Sequence, residues 1–329
     1  MSARQELWAV VLAAGDGTRL ATLTTNARGE RVPKQYCSLD GRGSLLHRAL
    51  QRARRIAARE RVCVIVAESH RRFWCESLSG LPPGNVIVQP SNRGTANGVL
   101  LSLLSILRRD SLARVVFLPA DHHVRDEPKL AIAIRAAIHT LASDAGILAL
   151  VGIEPDEPDP ELGYLLPGGT LPDGSRLVEK FIEKPAPSDA QELVAAGALW
   201  NSFIFGAGGP ELLEGIRHHL GWIVSEMTAA LARDSHSLPA GTALSELYRA
   251  LPGVDFSRTI LAGSVESLRV IAAPRCGWCD LGTPQRVAAA LRRLQQESVP
   301  PPARNSASSG VTSLIPDFRF ATHVAHPGA

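Results

Sequence analysis

Two short stretches near the start of the chain carry residue types suited to binding a polyanion. One is Leu12-Ala13-Ala14-Gly15-Asp16-Gly17-Thr18-Arg19-Leu20, and the other is Val32-Pro33-Lys34-Gln35-Tyr36. The apolar run before the glycines reads as a buried strand. Small residues let backbone N–H groups approach an anion closely, while an Arg and a Lys add positive charge. That combination implies a triphosphate site at the end of the first strand. Two commoner phosphate motifs are absent. A GxGxxG fingerprint needs a third glycine where Leu20 stands, and a P-loop needs Gly-Lys-Ser/Thr.

The elements that must position these residues alternate. Apolar, β-branched runs over 7–13, 62–67, 85–89, 114–118 and 147–153 predict strands. Helical patterns over 45–58, 71–78, 94–107 and 128–142 lie between them. Such alternation predicts an α/β fold with a doubly wound, mostly parallel sheet of the Rossmann-like kind. Ligands of such sheets bind beyond the carboxyl ends of the strands. Three loops fall at that edge: the glycine loop, Gln89-Pro90-Ser91-Asn92-Arg93-Gly94-Thr95, and Pro119-Ala120-Asp121-His122. Past the Pro-rich stretch 154–160 the pattern changes. Strand-like pieces over 163–166, 176–184 and 200–205 read as a small antiparallel extension, with a turn at Pro172-Asp173-Gly174. Helices follow between 211 and 251, then a strand over 268–272 and a final helix over 283–296. This divides the chain into a main unit over 1–298, with halves 1–153 and 154–298. The residues over 299–329 read as a disordered or loosely docked tail.

Composition bounds the partners. The chain has 329 residues, is 45% hydrophobic and 20% charged, and carries a net charge of +3, so nucleic acid is not expected as a partner. No signal peptide and no apolar run near the ~20 residues of a membrane helix stand out. Five cysteines, an odd number, favour free thiols and the cytoplasm. Cys276 and Cys279 form a lone CxxC without a second pair, a weak metal or redox signal. The basic cluster over 52–61 reads as a solvated helix face. Only four of the 35 basic residues are Lys, namely Lys34, Lys129, Lys180 and Lys184. A Lys kept in so Arg-rich a chain suggests a need for a compact ammonium.

The glycine loop and Pro33-Lys34-Gln35 resemble the signature of sugar-1-phosphate nucleotidyltransferases, and the later motifs resemble the mannose-1-phosphate guanylyltransferase branch. The likeness spans roughly residues 7–290, with the motifs in the family's order. The loop 89–96 resembles the one that holds the base, and 118–122 the segment with a metal-binding Asp. Leu162-Gly163-Tyr164 resembles the sugar-contacting segment, and Phe181-Ile182-Glu183-Lys184-Pro185 the Phe-x-Glu-Lys-Pro motif. Trp200-Asn201-Ser202 and 277–283 match two more. Asp16, Ala21-Thr22, Asn97-Gly98 and Ala262-Gly263 depart from the family's pattern.

The resemblance implies a nucleotidyltransferase of the GT-A-like fold that joins an NTP, most simply GTP, to mannose 1-phosphate, giving GDP-mannose and pyrophosphate. It implies Arg19, Lys34 and Asp121 as catalytic. Residues Leu12 through Arg19 with Gln89, Asn92, Arg93, Gly94 and Thr95 would bind the nucleotide. Gly163, Tyr164, Glu183, Lys184 and Asn201 would bind the sugar phosphate, and Asp121 and Asp280 would hold Mg²⁺. The chemistry agrees, because joining two polyanions demands positioning and charge neutralisation more than a covalent intermediate. Mg²⁺ takes a few carboxylates with phosphate oxygens and water. His122 and His123, being adjacent, point opposite ways and read as structural. The same chemistry on another base or sugar, and a non-catalytic nucleotide-sugar sensor, stand as alternatives. No membrane partner is expected, and a homo-oligomer is left open.

Overall fold

A computed structural model describes residues 6–26, 28–142, 146–234 and 241–298. The expected tail over 299–329 lies outside the described residues. Among those described, nine strands form one sheet in the order β3-β2-β1-β4-β8-β5-β9-β7-β6. They are β1 (Leu7–Ala13), β2 (Val62–Ala67), β3 (Val86–Gln89), β4 (Arg114–Pro119), β5 (Leu148–Ile153), β6 (Gly163–Thr170), β7 (Arg176–Glu183), β8 (Leu199–Gly208) and β9 (Leu268–Ala272). The helices are α1 (Leu45–Arg54), α2 (Arg71–Trp74), α3 (Thr95–Leu107), α4 (Glu127–Thr140), α5 (Pro187–Ala195), α6 (Gly209–Asp234), α7 (Thr242–Ala250) and α8 (Pro284–Ser298).

The first half follows the expected alternation, although the helix expected over 71–78 is only the single turn of α2. Strands β3, β2, β1 and β4 are parallel neighbours. Successive side chains of β1 go to opposite faces: Ala9, Val11 and Ala13 pack beneath α1 and α4, while Trp8 and Val10 pack beneath α3. Helices thus cover both faces, and the core is double. None of these helices is long and apolar enough to cross a membrane.

The second half carries the expected antiparallel strands, with β6 paired to β7 and, at Tyr164–Trp200 and Leu165–Leu199, to β8. Strand β8 lies inside the sheet, antiparallel to both β4 and β5. Its residues are buried almost throughout, so both edges and both faces need neighbours. Small residues make the fit: a Cβ on Gly206 would stand 2.9 Å from Leu141 and 3.3 Å from Val116. Strands β6 and β7 form the expected hairpin, closed by the Pro172-Asp173-Gly174 turn with Gly174 at φ +82°.

One residue of the basic cluster is not solvated. Arg52 shares the inward stripe of α1 with Leu45 and Ala49 and is 2% exposed. Its guanidinium donates to both carboxylate oxygens of Glu127 at 2.9 and 2.7 Å, at the start of α4. A charge on an apolar stripe has to be paired, and this fork pins α1 to α4.

Candidate active site

A cleft of about 570 Å³ opens at the carboxyl edge of β1, β3 and β4. Leu12, Ala14, Gly15, Gly17 and Arg19 line it from the end of β1, and Gln89, Asn92, Gly94 and Thr95 from the end of β3. Asp121 and His122 come from the end of β4, and Asn201 from the start of β8. Gly163, Glu183, Lys184, Trp278 and Asp280 complete the walls.

The glycine loop is fixed from below by the Pro33–Tyr36 turn. Gln35 Nε2 donates to the carbonyls of Ala13 and Gly15, each at 2.9 Å. Gly17 has φ +62°, and a Cβ there would stand 3.0 Å from the Lys34 nitrogen. Only glycine lets the loop lie so close. Lys34 itself is 6% exposed. Its Nζ lies 2.8 Å from Asp121 Oδ2 and donates to the Asp280 carbonyl at 2.7 Å. One ammonium therefore ties together segments from the two ends of the fold.

The same contacts set the charge states. Burial works to raise the Asp121 pKa, but the Lys34 ammonium outweighs it and holds the carboxyl below its usual range. His122 and His123 are each pushed down to about 4, chiefly by burial, so both are neutral at pH 7. His122 meets Trp278 edge-on at 5.2 Å between ring centres. Glu183 is shifted the other way, up, first by burial and then by the nearby Asp255 carboxylate.

Not every expected binding residue faces the cleft. Arg93 turns away from it, and its guanidinium donates to the carbonyls of Tyr248 and Arg249 at 2.8 and 3.2 Å, at the end of α7. Helix C-termini carry free carbonyls, and an Arg serves them as well as it serves phosphate. Tyr164 is fully buried, with its hydroxyl engaged by the Asp159 backbone. Ala13 lies in the core, while Asp16 and Thr18 line a smaller hollow beside the cleft. Asp16 instead accepts from Asn92 Nδ2 at 2.9 Å, joining the glycine loop to the loop after β3. Asn201 accepts from the Phe203 nitrogen at 3.0 Å and also lines the cleft.

Other cleft residues were missed. Glu161 pairs with Arg19 at 3.3 Å across the mouth. Asp255 and Ser257 line the wall beside Glu183. Glu161 stands two residues before the Gly163-Tyr164 segment, and Asp255 seven residues before Ala262-Gly263, which are the only local signals of either. A backbone signal also marks the site. Among the described residues, the non-glycines at positive φ are Lys184 (54°), Phe203 (56°) and Leu281 (52°). Two line the cleft and the third follows Asp280. Such conformations cost of order 1–3 kcal/mol and persist where the surroundings enforce them.

The lining carries five carboxylates, Asp121, Glu161, Glu183, Asp255 and Asp280, against the cations Arg19 and Lys184. No group of three or more His, Cys, Asp or Glu side chains suited to a metal occurs among the described residues.

The chain is similar to known proteins over most of its length. The nucleotidyl transferase family model matches residues 8–297. The mannose-1-phosphate guanylyltransferase ManC of Salmonella typhimurium is 30% identical over 291 residues, 84% of this chain and 58% of that protein. The xanthan biosynthesis protein XanB of Xanthomonas campestris is 28% identical over 277 residues, 83% of this chain and 57% of that protein. The chain thus spans somewhat over half the length of these curated relatives. A crystal structure from Thermus thermophilus, described as a mannose-1-phosphate geranyltransferase, superposes with a TM-score of 0.70 at 27% identity, covering 84% of this chain and 77% of that one.

Proposed function

The chain belongs to the nucleotidyl transferase family, and on that premise we propose that it transfers a guanylyl group from GTP to mannose 1-phosphate, giving GDP-mannose and pyrophosphate. One observation carries the reading. A single cleft joins the glycine loop and the loop after β3 to Glu183, Lys184 and Asn201, with Asp121 and Asp280 on its walls. In this reading a nucleotide lies at the glycine-loop end and a sugar phosphate at the Lys184 end.

The reaction forms a bond from a phosphate oxygen of the sugar phosphate to the α-phosphorus of GTP. The bond from that phosphorus to the β-bridging oxygen breaks, and pyrophosphate leaves with its electron pair. Arg19 leaves Glu161 to take the β- and γ-phosphates, aided by the amides of the glycine loop. Lys184 meets the sugar phosphate. Glu183 and Asn201 accept and donate hydrogen bonds to sugar hydroxyls. Lys34 keeps Asp121 ionised and oriented.

The donor set fits Mg²⁺. Two carboxylates alone are too few for a protein cage but suffice for an ion shared with phosphates. Three of the five cleft carboxylates already hold a cation, Asp121 with Lys34, Glu161 with Arg19 and Asp280 with Arg286, so little free positive charge is left for two polyanions. Asp121 and Asp280 would hold the ion, which would supply neutralisation of phosphate charge. The cytoplasm is the compartment this reading implies.

The test is pyrophosphate release from a panel of nucleoside triphosphates and sugar 1-phosphates. GTP with mannose 1-phosphate should react fastest, and Asp121→Asn and Lys34→Ala should each lower kcat by on the order of 10². A faster reaction with another pair would reassign the substrates. No release with any pair would leave a nucleotide-sugar sensor.

A further inference from the structure

Asp280 is held in an unusual way. Its Oδ1 takes two hydrogen bonds, one from Arg286 Nη1 and one from the Gly282 nitrogen at 3.1 Å. Its Oδ2 has no hydrogen-bond partner among the described residues. Lys34 does not neutralise this carboxylate, because its bond goes to the Asp280 backbone carbonyl. Arg286 stands in the first turn of α8 and is anchored on its far side by Asp159, with Nε 3.0 Å from Oδ2 and Nη2 donating to Oδ1 at 3.3 Å. Asp159 is fixed in turn by the buried Tyr164 hydroxyl, which accepts from the Asp159 nitrogen at 2.8 Å. The turn leaves no slack. A Cβ on Gly282 would stand 2.4 Å from Asp280 Oδ2 and 3.2 Å from Arg286 Nη1.

We propose that Arg286 is a positioning residue: it clamps one oxygen of Asp280, so that the other alone is presented to a divalent cation bound with the substrate phosphates. The inference rests on the metal role given above to Asp280. A planar fork suits the task, because it reaches two carboxylates in fixed directions. A lysine ammonium is a point charge and cannot hold both. Groups behind a metal ligand typically affect metal affinity 10- to 100-fold.

The sign of the effect separates this role from its rivals. Removing a positive charge beside a cation site should tighten cation binding if charge alone mattered. A simple tie between α8 and the loop before β6 should leave binding unchanged and lower only thermal stability. A clamp predicts weaker binding.

The experiment is Mn²⁺ titration of the whole protein followed by electron paramagnetic resonance, with GTP present and no sugar phosphate. Arg286→Gln should weaken Mn²⁺ binding by about tenfold or more, although it removes a competing cation. Unchanged or tighter binding in a folded Arg286→Gln protein would overturn the proposal. If that variant does not fold, Arg286→Lys decides. It keeps the charge and loses the fork, so weaker binding supports the clamp and wild-type binding refutes it. Absence of Mn²⁺ binding by the wild-type protein would be a different failure, removing the metal reading together with the inference built on it.

Discussion

At the scale of single residues, the site divides into groups legible by type and groups legible only by place. Arg19 and Lys34 stand out by type beside the small residues after the first strand, and Asp121 through its strand-end loop and the family resemblance. Arg93 looked equally suitable, yet it serves helix carbonyls, and its type alone could not say which acceptor it would find. Asp255 lies far from Glu183 in sequence, so nothing local marked their meeting. That meeting has a measurable result. Burial and Asp255 raise the Glu183 pKa, so Glu183 takes up a proton at higher pH than an ordinary carboxyl. An accepting carboxylate is then lost early as pH falls. Removing the Asp255 charge takes away one raising cause. In Asp255→Asn, the acid limb of kcat/KM for the sugar phosphate should therefore move to lower pH. A limb that stays in place or moves upward would refute the coupling.

At the scale of elements, the loop after β3 is spliced to the segment before the π-helical turn Ser257–Leu261. The Ala96 nitrogen donates to the Val254 carbonyl at 3.0 Å, the Val254 nitrogen to the Arg93 carbonyl at 3.1 Å, and the Phe256 nitrogen to Thr95 Oγ1 at 2.8 Å. The first of these segments faces the nucleotide in our reading, and the second carries Asp255 toward the sugar end. Gly94 makes the splice possible. It has φ +83°, and a Cβ there would stand 2.3 Å from the Val254 carbonyl oxygen. Gly94→Ala should cost about 1–3 kcal/mol by thermal melting and raise KM for both substrates, because both segments shift. A rise confined to one substrate would show that the two loops act independently. The helices of the first half and the β6–β7 hairpin were legible from period and turn chemistry. The central place of β8 was not, because strand order depends on long-range pairing that periodicity does not encode.

At the scale of the whole molecule, the cleft gathers residues from both halves of the chain, so ligands that fill it should stabilise the entire fold. The shortage of unpaired cations in the cleft makes this conditional. GTP at 100 times its Kd should add about 2.7 kcal/mol with Mg²⁺ present. Chelation of the metal should remove most of that gain, leaving the melting temperature near that of the free protein. A full GTP shift in chelator would argue that the protein's own cations suffice.

The insertion of β8 also governs the order in which the chain can mature. Synthesis delivers β4, then β5, and only later the strand that belongs between them. Through that interval both strands present unpaired edges to the surrounding medium. The nascent protein therefore passes through a stage with a gap at the centre of its sheet. Asp280 emerges later still, so the cleft is incomplete until most of the chain has been made.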